Sequence, residues 1–316
     1  MSFNASAKWY SHSFEIMGTQ AKVEFEWSQL NDLSSETKAK ELIQQVVSEM
    51  SRVDRLMSPF KTNSELSMIN RQDSKQAIKI SKELFKLLEK ANHFSVITHG
   101  AFDISFSSVG YLYEYRKNIR PTDEQIQSLK SAINYKNIKL NKENHTVYFS
   151  DPRIKIDLGG IAKGHAVDMC IELLQSAGVK NAYVSAGGDS RLIGKKNDRL
   201  WYIGVRHPRD ENKLLVNLPL EEVSLSTSGD YERFFIEDGV RYHHIIDPNT
   251  GESAKYMQSA TVLADDSTTA DALSTSLFVL GVKKGMELIN SLPGVSAIVV
   301  DRHGKMFVSK DLSESN

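Results

Sequence analysis

Val23, Phe25 and Trp27 alternate with Lys22, Glu24 and Glu26 across Ala21 to Trp27. An apolar residue at every second position is the period of a half-buried strand, because successive side chains leave opposite faces. The period then changes. From about Ser35 to Met57, the residues Leu42, Ile43, Val46, Val47, Met50, Val53 and Leu56 recur at three- and four-residue spacing. That spacing predicts a helix with one apolar stripe. Ser34 and Ser35 are its cap candidates, and Pro59 takes the chain out of helical geometry at the far end.

Further helices are predicted over Lys82 to Thr98, closed by Gly100, and over Pro121 to Tyr135, with Thr122 near the start. Asn137 to Ser150 (NIKLNKENHTVYFS) reads as a hairpin. Glycine then punctuates the chain: strand IKIDL, turn GGIAKG, a helix from about His165 to Ala177 ended by Gly178, strand NAYVS and turn AGGD. Strands follow around Trp201 to Arg206, Glu222 to Ser226, Tyr242 to Ile246 and Ser259 to Ala264. Helices over Ser267 to Leu280 and Val282 to Leu292 and a hairpin turning at DRHG complete the pattern.

Strands and helices are interspersed without the regular alternation of a parallel doubly wound sheet, which predicts an α+β protein with mixed, largely antiparallel sheets and flanking helices. No internal repeat, low-complexity stretch or linker divides the chain. A single unit over residues 1–316 is expected, at most two closely joined lobes, with an ordered core from about residue 10 to 310.

Composition narrows the function classes. With 316 residues, 40% of them hydrophobic, the chain can bury a large core. Lys plus Arg number 39 against 40 Asp plus Glu, without a run of five or more like charges, so neither a nucleic-acid groove nor a polybasic membrane patch is indicated. The single cysteine, Cys170, excludes an internal disulfide framework and a multi-cysteine metal cluster; among apolar helical neighbours it reads as a buried, inert thiol. No window has the ~18 apolar residues of a membrane span, and the start shows no basic segment followed by an apolar one. A cytoplasmic protein is expected as the sequence stands, or a periplasmic one if an export signal was removed.

Five segments carry candidate chemistry. In DLGGIAKG (Asp157 to Gly164) glycines surround Lys163 directly before a helix, letting backbone amides, a helix start and one cation approach a phosphate; a plain strand-to-helix turn is the alternative. In ADALST (Ala270 to Thr275), Asp271 and Thr275 stand four apart and share a helical face, a carboxylate and hydroxyl suited to a hard cation. Asp265 and Asp266 just upstream read as helix caps. HHIIDPNTG (His243 to Gly251) offers two adjacent histidines, of which only one can face a given pocket, as general base or as a satisfied structural side chain. STSGDYER (Ser226 to Arg233) and SAGGD (Ser185 to Asp189) are small-residue turns after strands. Phe60 and Phe102, beside polar groups in MSPFKTNSEL and GAFDISF, suit either a flat heterocycle or core packing.

Taken in order, MGT, MSPFKTNSEL, GAFD, DLGGIAKG, SAGGD, STSGDY, HHIIDPNTG and ADALST resemble the FAD:protein FMN transferase (ApbE) family over about Tyr10 to Gly304. The resemblance implies a T-fold-like unit that uses Mg2+, splits FAD and attaches FMN to a hydroxyl of another protein. It implies flavin and adenine contacts at Met17, Phe60, Ala101, Phe102, Asp103, Lys163 and Ile246, with Ser228, Gly229 and Asp230 lining the site. It places metal ligands at the Ala162 carbonyl, Asp271 and Thr275, a base at His244, and a turn shaped by Asp247 and Thr250; catalysis falls to His244, Asp271 and Lys163. Phe60 stands where relatives often carry Tyr, and Ser185 where many have Asn. The implied partner is a protein presenting Thr or Ser in a segment resembling D-G-x-T-[ST]-[AG]. The competing readings are an FAD pyrophosphatase giving FMN and AMP, and a protein that binds FAD without chemistry.

Overall fold

The computed structural model describes residues 8–28, 32–71 and 76–314, the side chains of residues 32–34 and 314 excepted. Eight strands form one sheet: β1 (Lys8–Ile16), β2 (Thr19–Trp27), β3 (Ala182–Ala186), β4 (Asp189–Ile193), β5 (Val223–Gly229), β6 (Met257–Ala264), β7 (Ser296–Asp301) and β8 (Met306–Val308). They lie in chain order from edge to edge, and each neighbouring pair is antiparallel. The sheet is a meander with the helices inserted into its connections, which makes the expected α+β class an observation.

Three long helices, α1 (Asp32–Met57), α2 (Lys82–Ile97) and α3 (Ala162–Ser176), fall between β2 and β3; a fourth, α4 (Ser267–Ile289), joins β6 to β7. The alternation read from Ala21 onward places Ala21, Val23 and Phe25 in the core beside Val184, Val262 and Val299 of other strands and Leu42, Val46 and Met50 of α1. Each of these Val, Leu, Met and Phe side chains contributes about 1.5–3 kcal/mol on leaving water. Cys170 lies in that core, where burial raises its thiol pKa, as the inert reading expected. On the opposite face Glu24 is nevertheless buried, because Lys22 at 2.7 Å and Lys196 at 2.5 Å neutralise it.

Several boundaries differ from the sequence expectation, each for a local reason. Helix α1 starts at Asp32, so Ser35 lies inside it and is no cap, while Ser34 falls outside the described side chains. The predicted strand IKIDL pairs with no strand among the described residues. Asn70 takes both backbone groups of Ile156 at 2.8 Å, Ser108 Oγ accepts from Lys155 N at 3.0 Å, and Ile104 O accepts from Asp157 N at 2.9 Å. The predicted helix over Pro121 to Tyr135 shortens to Asp123–Leu129 plus 3-10 turns, with Thr122 capping it in a reciprocal pair with Gln125. Ser267 to Leu280 and Val282 to Leu292 run on as one element that breaks at Gly281, whose φ of 75° and ψ of 174° suit glycine alone.

Helices α3 and α4 are joined by exchanged carboxylates. Asp168 of α3 accepts from Ser267 N at 2.9 Å and Thr268 N at 2.8 Å in the first turn of α4. Asp271 of α4 in return accepts from Gly164 N at 3.1 Å in the first turn of α3. Each acid satisfies amides left open at the other helix's start and sits at the positive end of its dipole. Asp266, one of the two predicted caps, closes the start of α4 from within the chain, accepting from Thr269 N at 2.8 Å.

Candidate functional site

The glycine segment turns at Gly159, Gly160 and Ile161 as expected, but its last three residues, Ala162 to Gly164, are already helical. Ala162 N donates to Leu158 O at 2.8 Å and His165 N to Ile161 O at 3.1 Å, so α3 begins at Ala162 and carries Lys163 and Gly164 in its first turn. No side chain caps it at Ile161; Asp271 does so from α4. Gly164 permits that arrangement, because a Cβ there would lie 2.2 Å from Ser267 O and 2.9 Å from the Asp271 Cβ.

Lys163 Nζ meets Asp189 Oδ2 directly and lies 3.7 Å from Asp271 Oδ2. Burial pulls the ammonium pKa down, but the two carboxylates outweigh it and the net shift is upward, so the lysine stays charged. Asp271 is shifted up, first by burial and then by the charge of Asp189; the lysine only partly compensates. From Asp189 a hydroxyl chain continues: Ser226 Oγ donates to Asp189 Oδ1 at 2.6 Å and lies 3.1 Å from Ser274 Oγ, which is 2.8 Å from Ser228 Oγ. Ser228 Oγ is in turn 3.3 Å from Thr275 Oγ1.

The same chain returns to the glycine segment, since a Cβ on Gly160 would stand 3.1 Å from Thr275 Oγ1 and 3.4 Å from Phe102 Cε2. Lys163, Asp271, Thr275, Ser228 and the edge of Phe102 are therefore brought together around one helix start.

His243 and His244 separate as the strand geometry required. The strand ends at His243 (Val240–His243) and not at Ile246: His244 N still donates in register to Arg233 O at 3.1 Å, but Ile246 and Asp247 pair instead with Ser253 and Glu252. His243 is buried with Nε2 2.7 Å from Ala254 O and Nδ1 accepting from Ile245 N at 3.3 Å. It is the satisfied structural histidine. His244 Nδ1 is buried and has no hydrogen-bond partner among the described residues. Burial, then the charges of His243, Arg233 and Lys163, push its pKa down to about 3, so the imidazole is neutral near pH 7.

A pH effect follows from that shift. An unfolded His244 takes up its proton near 6.5, whereas the folded one does so only near 3, so protons favour the unfolded chain between those values and stability falls on acidification through 6.5. Going from pH 7 to 5 should cost on the order of 1–2 kcal/mol from this group. Urea titrations of wild type and His244→Gln at both pH values check it: the variant should lose less stability, and equal losses would refute the assignment.

The other candidates are distributed differently. Asp103 is buried, and its carboxylate accepts from Ser105 N and Tyr135 N, both at 2.8 Å. Burial raises its pKa; the acid organises its own loop. Ala101 is buried next to Phe102 in the main core. Ile246 joins Val109, Tyr113 and Ile126 in a separate apolar cluster. Met17 occupies the β1–β2 turn with φ of 52°. Phe60 is 81% exposed, and no ring contact ties it to the other candidates. Gly229 closes β5 next to Ser228. Asp230 is buried, but both its oxygens bind Arg209 at 2.6 Å. Asp247 and Thr250 shape their turn, accepting from Asn249 N and Glu252 N at 2.9 and 3.1 Å.

Reading by segment missed Asp189, Ser226 and Ser274 as members of the lysine network. The available signal was the acid ending the AGGD turn, a carboxylate where a backbone-only turn would do.

Among known proteins, the ApbE family model matches residues 17–299. A Vibrio cholerae protein named FAD:protein FMN transferase is 32% identical over 82% of this chain and 80% of its own length. One of the same name from Haemophilus influenzae is 33% identical over 96% and 89%. The crystal structure of the ApbE protein from Thermotoga maritima superposes with a TM-score of 0.86 at 32% identity, covering 97% of this chain and 99% of that one. The flavin transferase ApbE from Vibrio cholerae gives 0.86 at 27% identity, covering 98% and 99%.

Proposed function

The chain belongs to the ApbE family, and from that premise we propose that it is an Mg2+-dependent FAD:protein FMN transferase. It splits the pyrophosphate of FAD, fixes the FMN half through phosphate to a Thr or Ser hydroxyl of a partner protein, and releases AMP. We propose further that the whole chain acts as one unit. The carrying observation is that Asp271 and Thr275 both touch one glycine-rich helix start, Asp271 through Gly164 N and Thr275 beside Gly160.

Those residues fit a magnesium ion. No group of three or more His, Cys, Asp or Glu side chains able to hold a metal occurs among the described residues. A cation here would take few protein ligands, the Asp271 carboxylate, the Thr275 hydroxyl and the Ala162 carbonyl, and complete its shell with water and phosphate oxygens, as magnesium does. Bound there, it supplies Lewis-acid polarisation of the pyrophosphate.

The chain's own groups do the rest. Lys163, kept protonated by Asp189 and Asp271, faces the charge that grows on the phosphoryl oxygens. His244, neutral and with Nδ1 unpaired, accepts the proton of the acceptor hydroxyl. Its low pKa is set partly by Arg233 and Lys163, so the negative phosphates of FAD would raise it toward the range of a working base. The acceptor oxygen bonds to phosphorus as the bond to AMP breaks; AMP carries away the electron pair and His244 holds the proton.

The test is incubation with FAD, magnesium and an acceptor carrying a D-G-x-T-[ST]-[AG]-like segment. Mass spectrometry should find FMN on its Thr or Ser, with AMP released in equal amount. AMP release just as fast without acceptor would make the protein a pyrophosphatase, and intact FAD would make it a binding protein.

A further inference from the structure

Arg233 belongs to the STSGDYER segment but received no role from its sequence. Its neighbouring charges are engaged: Arg209 binds Asp230, Arg206 pairs with Glu232, and Arg120 holds Glu237. The Arg233 guanidinium is exposed and, among the described residues, has no hydrogen-bond or ion-pair partner.

Its place is defined from two sides. Its carbonyl accepts from His244 N at 3.1 Å, fixing its backbone beside the proposed base. A Cβ on Gly18 would lie 3.6 Å from Arg233 Nη2, placing the guanidinium over the Met17–Gly18–Thr19 turn. Its charge is felt at His244, at Lys163 and at the half-buried Asp157 that opens the glycine segment.

Charge balance says what it is for. Lys163 sits between two carboxylates, leaving that cluster one negative charge when both are ionised. A divalent cation turns this into one positive charge, and a doubly ionised pyrophosphate would make it negative again. One more cation is needed for neutrality, and a planar guanidinium with paired donors matches phosphate oxygens.

We infer that Arg233 is a substrate-binding residue that grips the pyrophosphate of FAD at the β1–β2 turn, opposing the charge that remains when Asp189 and Asp271 lie beside the phosphates. The inference rests on the functional reading above and adds a phosphate contact to it.

Equilibrium binding of FAD and of riboflavin, followed by flavin fluorescence without divalent cation, tests it on wild type, Arg233→Ala and Arg233→Lys. Arg233→Ala should weaken FAD binding by roughly ten- to hundred-fold. Riboflavin, which has no phosphate, should bind as before, and Arg233→Lys should recover part of the loss. A purely structural role would weaken both ligands equally, and an uninvolved side chain would weaken neither; either outcome overturns the inference. Turnover of FAD by the wild type separates this from the functional reading: if the wild type leaves FAD intact, that reading fails, whereas wild-type turnover with unaltered FAD affinity in Arg233→Ala removes Arg233 alone.

Discussion

Asp271→Ala should abolish AMP release from FAD, lowering kcat by roughly a thousand-fold or more, while FAD binding measured without magnesium survives. The carboxylate is the one acidic side chain assigned to the cation, so its loss removes the Lewis acid and with it the largest charge acting on the phosphates. The flavin contacts do not depend on it.

The variant also leaves Gly164 N without its acceptor, which costs about 1–3 kcal/mol. Removal of an acid whose charged form is already disfavoured by burial and by Asp189 offsets part of this. Asp271→Asn separates the effects, since its amide oxygen can still accept from Gly164 N while the charge is gone. Both variants should be inactive, and Asn the more stable. Chromatography of AMP and fluorescence titration of FAD decide the matter: wild-type turnover by either variant would end the metal assignment.

Gly164→Val should destabilise the fold by about 3 kcal/mol or more and lower Tm by several degrees. Both obstacles to a side chain there, Ser267 O at 2.2 Å and Asp271 Cβ at 2.9 Å from a Cβ position, belong to α4 close to its backbone. A flexible neighbour could swing away, but a helix must move as a whole. Moving α4 from α3 breaks the exchanged acids Asp168 and Asp271 together and carries Asp271 away from Lys163. The folded fraction should therefore lose activity too. Thermal unfolding with an unchanged midpoint would show that the two helix starts do not make this close approach.

Much of this molecule is legible along the chain. The two-residue period at Ala21 to Trp27 and the helical spacing from Leu42 to Leu56 identify their elements because burial of one face imposes those repeats. Gly281 marks the break in α4, and Asp266 its cap, since both act on backbone within a few residues. Asp271 and Thr275 share a helical face for the same local reason. The strand read into IKIDL fails for the converse reason: alternating apolar residues look the same whether their backbone partner is a strand or, as here, the side chain of Asn70 across 86 residues.

The helix start at Ala162 was equally invisible, because its outside acceptor is Asp271, 107 residues away. Nothing near Asp189 in the chain says that it will meet Lys163, and nothing in the pair of histidines says which will find Ala254 O and which will be left with an unpaired nitrogen.

The sequence by itself determined the succession of elements, their buried faces and the ordered segments that carry the family resemblance, all set by interactions within a few residues. Only the tertiary structure decided that β1 to β8 lie in chain order, that α3 and α4 cap each other, and that Lys163 lies between two acids. Those outcomes depend on which surfaces pack across the sheet and which backbones approach within contact distance, and chain-local spacing carries no record of either.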